Sequence, residues 1–414
     1  MKDNREFFKS KNSWSEIKDR LLGCYLKLYF QKILMTHRPT YYVDCFAGQG
    51  KFEDGNPGSP LIALAVRDSC LKSTGNSNGK IELSFIELNH STELLKNITN
   101  FDTPYNSTKV HHGRYEELIE TLLQNKRGTN VFLYIDPYGI RALDYGVFKR
   151  INTYGFNSLE MLINFNSFGF FRDACRALDV TYENDEAFRD LNDIVEYAPT
   201  EINSSTQSIE LLSQIAGGDY WKNIVERYKN KNISGYTAEK QLSNGYKAKL
   251  KKHFCYVLDM PIRLKPGQRP KYRMVHVSNH EDGCFHMAEN MLRRKDELFT
   301  NIQQNRQPSL FDYDDTVTSS VENNIVTKDE IKKLMSAHIA HGETEVGYTN
   351  FIACFFNEHG LLCDIDILRS ILIEYEDQGI IEIIRTPSKT QTGLPTKFWN
   401  EKKNQHITIR RRKS

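Results

Sequence analysis

The sequence predicts a two-part α/β protein: a doubly wound, mostly parallel sheet, followed by a C-terminal winged helix. Three observations predict it. Short apolar runs (TYYVD, IELSFIEL, NVFLYID, LEMLINF) alternate with helical patterns through the first 165 residues. Three of these runs close on an acid, Asp44, Glu87 and Asp136, and the first opens into a glycine turn. After a polar stretch at 304–326, the pattern changes to three helices and two extended runs.

The elements follow in order. Residues 14–35 place Trp14, Ile17, Leu21, Leu22, Tyr25, Leu28 and Tyr29 at helical spacing, which makes an amphipathic helix with a wide apolar face. TYYVDCFAGQG is a strand ending in a glycine turn, and Ser59 and Pro60 read as N-cap and first position of the helix after it. IELSFIEL, the weaker TKVHHG, NVFLYIDPYG and LEMLINFNSF are the next strands. Residues 168–252 read as a helical insertion. HFCYVLDMPIR and KYRMVHVSNH then flank a KPGQRP turn, as a late antiparallel closure of the sheet would require, and CFHMAENMLRRKDELF is a helix. The expected body is thus 1–303 and the linker 304–326. In the winged helix, 327–400, Thr327 and Asp364 are expected N-caps and Gly360 and Gly379 expected C-caps. IIEIIRTP and PTKFWN are its expected hairpin, and 401–414 a basic tail.

Composition narrows the class. Hydrophobic residues are 39% and charged residues 26% of 414, which fits a chain with a real core. No run approaches the roughly 18 apolar residues of a membrane span, and the polar N-terminus lacks a signal's apolar region, so a cytoplasmic protein is expected. Eight cysteines occur without a CxxC, and His111 and His112 alternate across a strand, so no metal site is expected. Nine of the 55 Lys and Arg, but only one of the 53 acids, fall in 385–414, which gives that end +8 and the remainder −6. A basic end on a winged helix points to nucleic acid, with phosphate contacts from Lys389 and Lys397.

The chemistry-bearing residues sit at strand ends. Asp44-Cys45-Phe46-Ala47-Gly48-Gln49-Gly50 leads a strand into a turn whose glycines permit close backbone approach by a ligand. Glu87, ending the next strand, is placed to accept both hydroxyls of a ribose. The spacing from Gly50 to Glu87 is 37 residues, against about 20 for a dinucleotide fingerprint, and the third glycine is absent because position 53 is Glu. No P-loop spacing occurs. Asp136-Pro137-Tyr138-Gly139 ends the strongest apolar strand, so it should face the glycine loop. Asp136 and the Pro137 carbonyl can accept N–H bonds from an amine while Tyr138 stacks on its base. Asn164 and Arg172 flank the same cleft, with Arg172 a candidate phosphate contact.

YYVDCFAGQGKFEDGNPGSPLIAL, FLYIDPYGIRALDYGVFKRI and MLINFNSFGFFRDACR resemble the three-Cys-motif partner (TcmP) family, whose members have the class I S-adenosylmethionine-dependent methyltransferase fold. The resemblance implies a Rossmann-like methyltransferase sheet with S-adenosyl-L-methionine as cofactor. Asp44, Phe46, Ala47, Gly48 and Gly50 would form the cofactor loop, Glu87 would take the ribose, and Asp136, Pro137, Tyr138 and Gly139 would form the catalytic tetrapeptide of amino-methyltransferases. The expected activity is N-methylation of an exocyclic base amine in DNA or RNA; the alternative is a non-catalytic nucleic-acid-binding subunit. The resemblance also implies a three-Cys-motif partner of radical-SAM type. Arg114 departs from the family pattern, standing where many methyltransferases place an acid or polar contact to adenine. No Pro-Cys dipeptide occurs, which excludes cytosine-C5 chemistry. Gln307, Leu310 and Phe311 resemble a processivity-clamp peptide, although a linker hydrophobe packing on its own domain is the more ordinary reading.

Overall fold

The computed structural model describes residues 13–74, 81–101, 103–137, 139–182, 185, 205–262, 272–304, 326–399, 401 and 404–412. Seven strands form one mixed sheet: β1 (Thr40–Asp44), β2 (Ile81–Glu87), β3 (Thr108–His112), β4 (Asn130–Ile135), β5 (Ser158–Phe165), β6 (Tyr256–Ile262) and β7 (Tyr272–Ser278). Their order is β3-β2-β1-β4-β5-β7-β6. The first five are parallel, and β7 runs antiparallel to both β5 and β6. The expected late antiparallel closure is therefore present, on a mixed, Rossmann-like sheet. β1 and β4 are buried along their whole length, because helices cover both faces. That burial is why their sequences are continuous apolar runs and not alternating ones.

The helices are α1 (Ser13–Leu34), α2 (Ser59–Ser73), α3 (Ser91–Thr99), α4 (Tyr115–Leu123), α5 (Tyr145–Ile151), α6 (Ser167–Ala177), α7 (Ser205–Ala216), α8 (Tyr220–Lys229), α9 (Gly235–Leu250) and α10 (Glu281–Gln304). Two cores result. α1, α2, α3 and α10 pack on one sheet face, and α4 to α9 on the other. On the first face Phe132 meets Tyr29 at 5.1 Å, Tyr25 at 5.8 Å and Tyr42 at 5.9 Å between ring centroids. This aromatic seam seats α1 across the middle of the sheet, each pair adding roughly 0.5–1.5 kcal/mol beyond its area. The start of α2 departs from expectation: its N-cap is Gly58, with Ser59 and Pro60 inside the first turn.

The C-terminal region comprises α11 (Lys328–His341), β8 (Glu345–Gly347), α12 (Tyr348–His359), α13 (Ile365–Asp377), β9 (Ile381–Thr386) and β10 (His406–Arg411). Thr327 caps α11 in a full capping box with Glu330. Asp364 is the N-cap of α13 without a side-chain bond, and Gly360 and Gly379 follow helix ends at φ 81° and 73°. The partner of β9 is not the expected PTKFWN but β10, antiparallel from His406↔Thr386 to Arg411↔Ile381. Residues assigned to a tail thus form the middle strand of a three-stranded sheet, β8-β10-β9. The signal lies in alternation: Ile407 and Ile409 are buried between polar neighbours.

This region is not held at arm's length. α12 packs on α10 and on β6. β6 is the edge of the large sheet, and Asn357 of α12 satisfies it: Val257 N donates to Asn357 Oδ1 at 2.9 Å, and Asn357 Nδ2 donates to the Cys255 carbonyl at 3.1 Å. Tyr256 Oη bonds Asn350 Oδ1 at 3.0 Å. Covering an edge strand removes an aggregation-prone row of unpaired backbone groups. Gln307, Leu310 and Phe311 lie outside the described residues. Among the described residues no helix is long and apolar enough to cross a membrane.

Candidate active site

β1 and β4 are neighbours that start connections to opposite sides of the sheet, so a crevice opens beyond their carboxyl ends. Asp44 pairs in register with Tyr134, so Asp44 and Asp136 end adjacent strands at the same edge. An open cleft of about 600 Å³, including its mouth, lies beside Asp136, and the fully buried Asp44 stands outside its lining. The glycine loop (Phe46 to Gly50), Lys51 and Phe52 form one wall, Gly58 and Ser59 the start of α2, and Asp136 the floor. The remaining wall comes from α1, through Ser15, Lys18 and Asp19.

The loop is held by its own backbone. Gly48 and Gly50 adopt φ 59° and 78°, and a Cβ on Gly50 would stand 2.9 Å from Leu94 Cδ1. Gly58 N donates to the Gly50 carbonyl at 2.9 Å, and Asn97 Nδ2 donates to the Gln49 carbonyl at 2.8 Å. Glu87 Oε2 accepts from Gly48 N at 2.8 Å, while Oε1 accepts from the amides of Asn89 at 2.8 Å and His90 at 3.1 Å. A carboxylate offers about four lone-pair sites. With three engaged, Glu87 keeps about one free acceptor site. The tilted ring of Tyr115 backs Phe46 at 5.4 Å. Arg114, just before Tyr115, is exposed.

Asp44 is fully buried. Burial pushes its carboxyl up to about 7, opposed by the Ser59 hydroxyl and the Phe46 amide and helped by the charge of Asp136. Oδ1 accepts from Phe46 N at 3.2 Å, and among the described residues Oδ2 has no hydrogen-bond donor.

Asp136 has dense surroundings. Lys18 Nζ reaches both carboxylate oxygens, at 2.8 and 3.1 Å; Asn164 Nδ2 donates to Oδ1 at 2.6 Å and Tyr134 Oη to Oδ2 at 3.3 Å. The Lys18 side chain is 8% exposed and that of Asp136 21%. An ammonium therefore already stands where a substrate amine was expected. Among the described residues the buried Asn164 Oδ1 has no partner. Pro137 is buried and Gly139 half-buried, whereas Tyr138 lies outside the described residues.

The structure thus gathers Phe46, Ala47, Gly48, Gly50 and Asp136 in one cleft, with Asp44 and Glu87 bonded to the loop's amides outside its lining and Asn164 bonded to Asp136. It does not bring Arg172 there: that side chain pairs with Asp173 at 3.4 Å. Lys389 and Lys397 are exposed on the loop between β9 and β10, outside the cleft lining. Much of the remaining basic end is neutralised internally. Arg385 pairs with Glu376, Arg410 with Glu345 and Glu382, and Arg411 donates to the carbonyls of Ile339 and Ala340. Sequence reasoning missed Ser15, Lys18 and Asp19. The available signal was a lysine at position 18, inside the apolar stripe formed by Ile17, Leu21, Leu22 and Tyr25.

No protein-family model and no curated protein matches this sequence. Among the solved structures that resemble the chain are two methyltransferase complexes. The plantazolicin methyltransferase BamL, in complex with a triazolic desmethylPZN analog and SAH, shares 13% identity over 63% of this chain and 85% of its own, with a TM-score of 0.27. Geranyl diphosphate methyltransferase, in complex with GPP and sinefungin, shares 9% over 61% and 76%, with a TM-score of 0.23. At such TM-scores the likeness carries no argument about this chain.

Proposed function

We propose that the chain is an S-adenosylmethionine-dependent methyltransferase acting on an exocyclic amine of a nucleic-acid base. One observation carries the reading: at the sheet's switch point Asp136 borders one cleft with the glycine loop that follows Asp44 on the adjacent strand. The residues suit that cofactor. Asp44 Oδ2 is a buried acceptor without a partner among the described residues, fit for a cationic ligand, and the left-handed glycines keep the loop free of side chains. When bound, the cofactor supplies an electrophilic methyl on a sulfonium. This chain's part is to hold the amine: Asp136 accepts its N–H bonds as charge develops, with Asn164 fixing the carboxylate. Lys18 must first release Asp136. Nucleic acid as the substrate is supported by exposed Lys389 and Lys397 and by the helix–strand order of 327–411, which fits a winged helix. The acidic α13, with Asp366, Glu374, Glu376 and Asp377 against Arg369, makes the β9–β10 loop the better phosphate contact.

A second reading, a non-catalytic subunit that senses cofactor beside a three-Cys-motif partner, is favoured by the Lys18–Asp136 pair, which occupies the acceptor. The two separate by labelled-methyl transfer into DNA and RNA. The first predicts transfer by the wild type and its loss in Asp136→Ala with cofactor binding retained. Cofactor binding without transfer to either nucleic acid supports the second.

A further inference from the structure

We propose that His338, Glu358 and His359 form a divalent-metal site suited to Zn²⁺, separate from the cleft and independent of the methyl-transfer reading. His338 stands in the last turn of α11, and Glu358 and His359 in the last turn of α12. Their ligand atoms all lie within 4.8 Å of one another. His338 Nδ1 is 3.0 Å and His359 Nε2 3.7 Å from Glu358 Oε2. Donors 2.0–2.2 Å from a tetrahedral zinc stand roughly 3.3 Å apart, and these two separations bracket that value.

Three further features fit a ligand site better than a surface ion pair. His359 Nε2 is buried and has no hydrogen-bond partner among the described residues. Both imidazoles are walled by aromatic rings, His338 by Phe351 at 5.0 Å and Phe355 at 5.7 Å, and His359 by Phe355 at 4.7 Å. Glu358, 61% exposed, faces solvent, which leaves a fourth position for water. Nearby, Lys251 donates to the Asn357 carbonyl, and its charge opposes a cation; the Glu358 carboxylate offsets it. Borderline divalent ions favour two imidazoles and a carboxylate, and the same donors suit calcium or magnesium poorly. A bound ion would tie the end of α11 to α12 one residue beyond Asn357, the residue that satisfies the edge of β6.

The test titrates Zn²⁺ alone into chelator-treated full-length protein by competition calorimetry, with X-ray absorption on the loaded wild type. One equivalent is expected, bound through nitrogen and oxygen without sulfur, together with a rise in melting temperature. His338→Gln and His359→Gln, checked for folding by circular dichroism, should each weaken binding by more than the roughly tenfold cost of losing an outer-shell partner. Absence of binding, sulfur in the absorption spectrum, or equal affinity in the folded variants would overturn the site. Should a variant fail to fold, the wild-type spectrum still decides.

Discussion

At the scale of single residues, two acids do different things because their surroundings differ. Asp44 is dry and short of partners, so its pKa rises from 3.8 to about 7. A folded acid with a raised pKa stabilises fully below its unfolded value and loses that contribution as pH rises through the folded one. The wild type should therefore lose stability between about pH 4 and pH 7, by at most about 4 kcal/mol, and Asp44→Asn should flatten that slope. Denaturant melts across this range check it; an unchanged slope would place the titration elsewhere. Asp136 is instead saturated with donors. Lys18→Ala should cost on the order of 2 kcal/mol, less than the roughly 3–5 for a fully buried pair, because Asp136 keeps 21% of its side-chain surface exposed. The same variant should strengthen binding of an amine substrate, while Asp136→Ala should abolish turnover and spare cofactor affinity. The acids were legible from strand ends alone. Lys18 was not, because its partner lies 118 residues away and only the packing of α1 joins them.

Among the elements, the glycine loop carries the prediction. Gly50→Ala meets both a left-handed φ of 78° and Leu94 Cδ1 at 2.9 Å. Gly48→Val puts a β-branched side chain at φ 59° beside the cleft. Each should lower S-adenosylhomocysteine affinity at least tenfold, by more than about 1.4 kcal/mol, in calorimetry on folded protein. Unchanged affinity in both would remove the loop from the site. β1 and β4 were easy to read because burial on both faces makes their apolar runs continuous. β10 was hard because a basic flank, RRR, hides a two-residue alternation of isoleucines. The hairpin partner assigned to PTKFWN failed for the same reason: local sequence does not fix which later strand pairs.

For the whole molecule, the finding with most consequence is that the C-terminal region shares a core with the sheet domain. A polar stretch at 304–326 reads as a linker, and composition alone cannot report that Asn350 and Asn357 bond β6 across about 100 positions. Truncation after Gln304 should therefore uncover the β6 edge and the apolar face of α10, and give an aggregating, dye-binding body in place of an independent domain. A monomeric truncated body with a wild-type melting temperature would restore the tethered picture. Asn357→Ala should loosen the seam more gently, by roughly 1–3 kcal/mol for the backbone groups it leaves unpaired. The central claim, that the cleft between the glycine loop and Asp136, next to buried Asp44, holds an S-adenosylmethionine-type cofactor, is tested most directly by calorimetric titration of full-length protein with S-adenosylmethionine at pH 6 and pH 8. A cation beside Asp44 favours its ionised form, so binding should release a proton near pH 6, and affinity should be higher at pH 8. No binding heat at either pH would contradict the account, and so would an affinity that falls as pH rises.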